Sequence, residues 1–105
     1  MSYTIEITEG ADGVPSDTVL NDESHSLAVK VDSQNNGVYF SFSSRESLRD
    51  FAKTLLHESY YGSGTVELYP IGTENGWLVV NGVRLTEQSS RVFIWYPEKT
   101  HNKQL

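Results

Sequence analysis

Side-chain catalysis needs a nucleophile, a base or a metal held at fixed spacing, so the histidines are read first. The chain has 3 of them, His25, His57 and His101. They fall in a polar connector, on an amphipathic segment and in the C-terminal stretch, and no H-x-x-x-H or H-E-x-x-H spacing joins them. Cysteine is absent, which removes thiolate nucleophiles, cysteine-ligated zinc and disulfides. No serine sits in a G-x-S-x-G elbow. Gly62-Ser63-Gly64 has part of a phosphate-binding glycine pattern, yet it leaves a helix and enters a strand, the reverse of the order that cradles a phosphate. Acidic pairs such as Asp22-Glu23 lie in a connector without the fixed geometry of general acid–base work. The expectation is a chain with no catalytic residue, no cofactor and no metal.

Charge gives the next constraint. The formal net charge is −6, and its placement is uneven. Residues 1–25 hold Glu6, Glu9, Asp12, Asp17, Asp22 and Glu23 with no Lys or Arg, while the remainder of the chain is balanced. A nucleic-acid or anionic-membrane partner is therefore not expected, and a basic protein partner is. Asp12, Asp17, Asp22 and Glu23, in an acidic loop over residues 9–25, are the candidate charges facing it. Arg45, Arg49 and Lys53 recur at i, i+4 and i+8, but Glu46 and Asp50 lie among them, so this reads as a solvated, salt-laced helix face.

The elements that must position these groups centre on SSRESLRDFAKTLLHESYY, Ser43 to Tyr61. Leu48, Phe51, Ala52, Leu55 and Leu56 share one face of a 3.6-residue period, which predicts a helix near 44–60 buried on that face. Ser43 and Glu46 form an S-x-x-E capping box, and Gly62 supplies a left-handed C-terminal cap. Tyr3 to Thr8 alternates as a first strand. Leu27, Val29, Val31 and Val38, Phe40, Phe42 read as a hairpin closed by Asn35-Asn36-Gly37. Thr65 to Ile71 reads as a strand, Leu78 to Leu85 as a hairpin about Asn81-Gly82, and Arg91 to Tyr96 as a last strand. The polar residues 98–105 read as a frayed tail. With 105 residues the chain fits one domain. The expected fold is α+β: about six to seven strands in the order β-β-β-α-β-β-β-β, in an antiparallel-rich sheet with a single helix on one face. Leu48, Phe51, Leu55, Phe40, Val80 and Val83 are its expected core.

One helix cannot cover both faces of such a sheet. Parity puts Tyr39, Tyr69 and Trp77 on the uncovered face, with Trp95 added from a last strand that is apolar on both parities. Exposed aromatic rings in a patch are interface chemistry. Residues 1–25 show neither a secretory signal pattern nor a membrane span, and a cytoplasmic protein is expected. The resulting reading is a non-catalytic protein-binding module, such as a small acidic inhibitor or immunity-type protein. The alternatives are a homodimer or larger homo-oligomer that uses the aromatic face on itself, and a small-molecule binder or enzyme with a pocket under the helix.

Overall fold

A computed structural model describes residues 1–10, 17–70 and 84–98. The elements run α1 (Asp17–Asn21), β1 (Leu27–Asp32), β2 (Gly37–Phe42), α2 (Arg45–Tyr61), β3 (Thr65–Leu68) and β4 (Val92–Trp95). The architecture is mixed α+β, and among the described residues the strands form two small antiparallel sheets, β1–β2 and β3–β4, in place of the one sheet expected. Four strands are present among the described residues, fewer than the six to seven expected.

The first hairpin follows its sequence. Asn36 takes φ 58°, the left-handed conformation a tight turn needs, and the register sets Leu27 opposite Phe42, Val29 opposite Phe40 and Val31 opposite Val38. Residues 84–90 line the other edge of β1: Leu27 N–H donates to Arg84 O at 2.8 Å, and Thr86 N–H to Leu27 O at 2.9 Å. Tyr3 to Thr8 forms no strand, contrary to its alternation, and Tyr3 and Ile5 stand exposed. Alternation chooses a face for burial but does not by itself supply a pairing partner.

In the second sheet Thr65 pairs with Trp95, Val66 with Ile94, Glu67 with Phe93 and Leu68 with Val92. Val66, Leu68 and Val92 turn inward and are buried. Leu27 and Val29 from the first sheet, Leu68 and Val92 from the second, Phe51 from α2 and Leu85 form one core, with Phe42 and Ile94 against it. Each sheet buries one face in that shared core, which is how two short ribbons become stable together.

Three expectations about α2 are corrected. Its cap is Ser44, whose hydroxyl accepts from Ser47 N–H at 3.1 Å, while the Ser43 hydroxyl accepts from Ser26 N–H at 2.7 Å and donates to Ser24 O at 2.6 Å. Gly62 is not left-handed, having φ −78°; the residue is small because a Cβ there would meet the Tyr96 hydroxyl, the Glu58 carboxylate and, at 2.7 Å, the Glu58 carbonyl. The inward face consists of Ser47, Asp50, Phe51 and Thr54, whereas Leu48, Ala52, Leu55 and Leu56 are exposed. Of the expected core, Phe51 alone is buried among described residues, since Phe40 is 42% exposed, Leu48 48% and Leu55 37%. Val80 and Val83, with the hairpin from Leu78 up to Val83, lie outside the described residues.

Polar clamps at both ends set this rotation. His25 Nδ1 meets Ser44 Oγ at the helix start, and Tyr96 O–H donates to the Glu58 carboxylate near its end. Ser47, Thr54 and Glu58 fall on one side of a 3.6-residue period, roughly 100° round from the centre of the leucine stripe. The start of the chain and α1 complete the packing. His57 Nε2–H donates to Thr8 O at 2.9 Å, holding residues near Thr8 to α2. The short α1 falls in the stretch read as a loop, with Val19 fully buried, and the buried Arg84 donates from Nη1 to Val19 O at 2.6 Å and Asp22 O at 3.1 Å.

Candidate functional site

Three arrangements bring polar or aromatic groups together, and they differ in what they can do. The first is Asp22, His25 and Ser44. His25 Nε2 lies 3.5 Å from the Asp22 carboxylate and its Nδ1 lies 2.5 Å from Ser44 Oγ, the order of groups in a charge relay. No spacing rule joins His25 to a serine 19 residues away. Ser44 Oγ, however, is the cap of α2, accepting from Ser47 N–H and lying 3.2 Å from Ser47 Oγ. A hydroxyl committed to the backbone in this way acts as a fastener. Asp22 is likewise engaged: it accepts from Ser24 O–H at 2.7 Å and Ser24 N–H at 3.0 Å, and these bonds hold its carboxyl below the usual range.

The second is a cleft of about 560 Å³ between residues 4–8 and α2, with Ile5 and Leu56 as its apolar wall and Glu6, Arg49, Asp50 and Lys53 as its charged residues. It is open to solvent and mixed in sign. Arg49 is 3.7 Å from Glu46, the surface pairing expected from the sequence. Among the described residues no group of three or more His, Asp or Glu could hold a metal ion. No described helix is long and apolar enough to cross a membrane.

The third arrangement is the outer face of β3–β4. Register and parity put Thr65, Glu67 and Tyr69 from one arm beside Arg91, Phe93 and Trp95 from the other. Trp95 is 79% exposed and Phe93 50%. The Arg91 guanidinium lies 4.5 Å from the centre of the Tyr69 ring and 4.9 Å from that of Phe93, and 3.7 Å from the Glu67 carboxylate. Tyr69 O–H donates to the same carboxylate at 2.8 Å. Arg91 and Glu67 thereby hold two rings in place and leave the third, Trp95, open to solvent.

The aromatic residues singled out in the sequence separate on this evidence. Tyr69 and Trp95 share the β3–β4 face. Tyr39 is on β2, in the other sheet, where it accepts at its hydroxyl from Asn35 Nδ2 at 2.7 Å. Trp77 lies outside the described residues. Of the acidic candidates, Asp22 and Glu23 are exposed, Asp17 opens α1, and Asp12 lies outside the described residues. Arg91 and Phe93 were not singled out, although the i, i+2, i+4 spacing of Arg91, Phe93 and Trp95 is the signature of one strand face.

Comparison with protein-family models, with curated proteins and with solved structures gives no match.

Proposed function

We propose that the protein is a non-catalytic protein-binding module that seats a basic partner on the outer face of β3–β4. The observation that carries the reading is Trp95: a tryptophan 79% exposed at one end of an ordered sheet face, on the same face as a half-exposed Phe93 and a clamped Arg91. Trp, Tyr and Arg are the side chains that most often anchor protein interfaces, because they bring large area with few rotors to freeze. An open indole face is also a seat for a Lys or Arg of a partner, an interaction of about 0.5–2 kcal/mol depending on desolvation.

Charge supports the choice of partner. The chain carries −6, with the whole excess in its first 25 residues, so its long-range field favours the approach of a basic surface. An acidic inhibitor or immunity-type protein would work in this way, by charge and shape without chemistry of its own. The test is capture from an extract of the source cell, followed by purification of the captured protein and measurement of its association rate across a salt series. The reading expects a basic partner whose on-rate falls as salt rises. Binding that is independent of salt, or indifferent to Trp95→Ala, overturns it.

A further inference from the structure

The outer edge of β2 is the second surface on which an interaction can be argued. Among the described residues β2 pairs with β1 alone, and Val38, Tyr39, Phe40 and Ser41 are all exposed. An edge strand normally carries a defence against other strands, such as a lysine, a proline, a bulge or an inward charge. Gly37-Val38-Tyr39-Phe40-Ser41-Phe42 has no charge and no proline, and its ladder with β1 runs residue for residue without a bulge. The absence of charge extends further. Ser33 to Ser44 is a 12-residue stretch with no charged side chain, the longest in the chain.

We infer that β2 pairs antiparallel with β2 of a second copy, joining the two hairpins into a four-stranded sheet. The uncharged stretch is what selects a copy as the occupant. Two chains of −6 repel each other through their first 25 residues, which carry the whole excess, and this uncharged edge lets them meet without placing like charges together. Parity also permits the pairing. Residues opposite one another across a ladder share a face, so the two-fold axis must pass midway between a residue of β2 and its own copy. An axis at Phe40 sets Phe40 opposite its copy and Val38 opposite Phe42. An axis at Tyr39 sets Tyr39 opposite its copy and Val38 opposite Phe40. In both registers Val38 meets a phenylalanine and no charged residue faces another.

The face of the sheet adds to the contact. Val31 and Val38 are 58% and 59% exposed, and Phe40 lies with its ring centre 6.4 Å from that of Phe51 on α2. On α2 itself Leu48 and Leu55 flank Phe51 at i−3 and i+4 and are exposed as well. A six-residue strand pair is smaller than a standard stable interface, so the dimer is weak and forms with rising concentration. This self-pairing uses a different surface from the β3–β4 face and does not depend on the partner proposed for it.

Sedimentation velocity from about 1 μM to about 1 mM tests the inference on the wild type, Ser41→Lys and Ser41→Thr. Ser41 is exposed on β2, and a lysine there supplies the missing edge charge, whereas threonine keeps the strand pairing-competent. The expected result is a mass that doubles with concentration for the wild type and Ser41→Thr and stays monomeric for Ser41→Lys. Amide exchange at residues 38–41 of the wild type should slow at the high end of the series, a readout that holds even if Ser41→Lys folds poorly. A monomer throughout, with exchange at 38–41 independent of concentration, overturns the inference. So does self-association that survives Ser41→Lys but is lost in Trp95→Ala, which would place it on the aromatic face.

Discussion

The Arg91 guanidinium lies over the Tyr69 ring at 4.5 Å from its centre, between that ring and Phe93. Arg91 precedes β4 and Tyr69 follows β3, so the contact closes the end of a ribbon only four residues long in each strand. It orders the aromatic face at the end away from Trp95, whose backbone partner is Thr65. The charge on the guanidinium is shared with Glu67 at 3.7 Å, so the pair leaves this end of the face near neutral.

Phe51 and Leu55 separate the core from the apolar stripe beside it. Phe51 is 7% exposed, with the Phe42 ring centre at 5.7 Å, so Phe51→Ala should cost about 3–5 kcal/mol by loss of transfer energy and cavity formation. Leu55, 37% exposed, should lose about 1 kcal/mol or less in Leu55→Ala, below the cost implied by its place in the helical pattern. Urea unfolding of both variants checks this. Equal losses would put the leucine stripe back in the core.

Gly62→Ala should destabilise the fold by about 1–3 kcal/mol, as overpacking commonly does. The added methyl would meet the Glu58 carbonyl at 2.7 Å as well as the Tyr96–Glu58 contact, and backbone cannot swing aside as a long side chain can. Thermal unfolding of Gly62→Ala beside the wild type gives the answer. An unchanged midpoint would mean that Tyr96 and Glu58 do not close over α2 as described.

Tyr96 supplies a pH test. Burial first, and then its bond to the Glu58 carboxylate, raise its phenol above the ordinary value of 10.0. In the unfolded chain the proton leaves near that value, while the folded chain keeps it to higher pH. The contribution to stability is therefore complete below pH 10 and is lost as pH rises from there through the raised folded value. Unfolding midpoints measured from pH 8 to 11 should fall more steeply above about pH 10 for the wild type than for Tyr96→Phe. Parallel curves would remove the Glu58 contact from the account.

Much of the local structure was legible because local chemistry decides it. Asn35-Asn36-Gly37 and the alternation on either side specify the β1–β2 hairpin and its register, and the same kind of pattern marks β3, β4 and the extent of α2. The phase of α2 was not legible. Its apolar stripe is regular, yet His25 reaches it from 19 residues before Ser44, and Tyr96 from 38 residues beyond Glu58, to turn a more polar side inward. No spacing rule within the helix contains those contacts. The pairing of β3 with β4 and the hold of Arg84 on Val19, 65 residues away, are equally non-local. Of the site, Tyr69 could be read from parity, whereas Trp95 came from a last strand apolar on both parities, whose facing the sequence left open. Arg91 and Phe93 share a strand face by spacing, but their meeting with Tyr69 and Glu67 needed the β3–β4 register, and Tyr39 is apart from them because the described residues form two sheets where one was expected.

The most direct test of the binding face is Trp95→Ala, read by two measurements on the same samples: titration against the captured basic partner and chemical unfolding. Because the indole is 79% exposed, its removal should change monomer stability by no more than about 0.5 kcal/mol. Binding should weaken by about 2 kcal/mol or more, roughly thirtyfold in Kd. Unchanged binding together with a large loss of stability would contradict the account, since Trp95 would then be supporting the fold and not the partner.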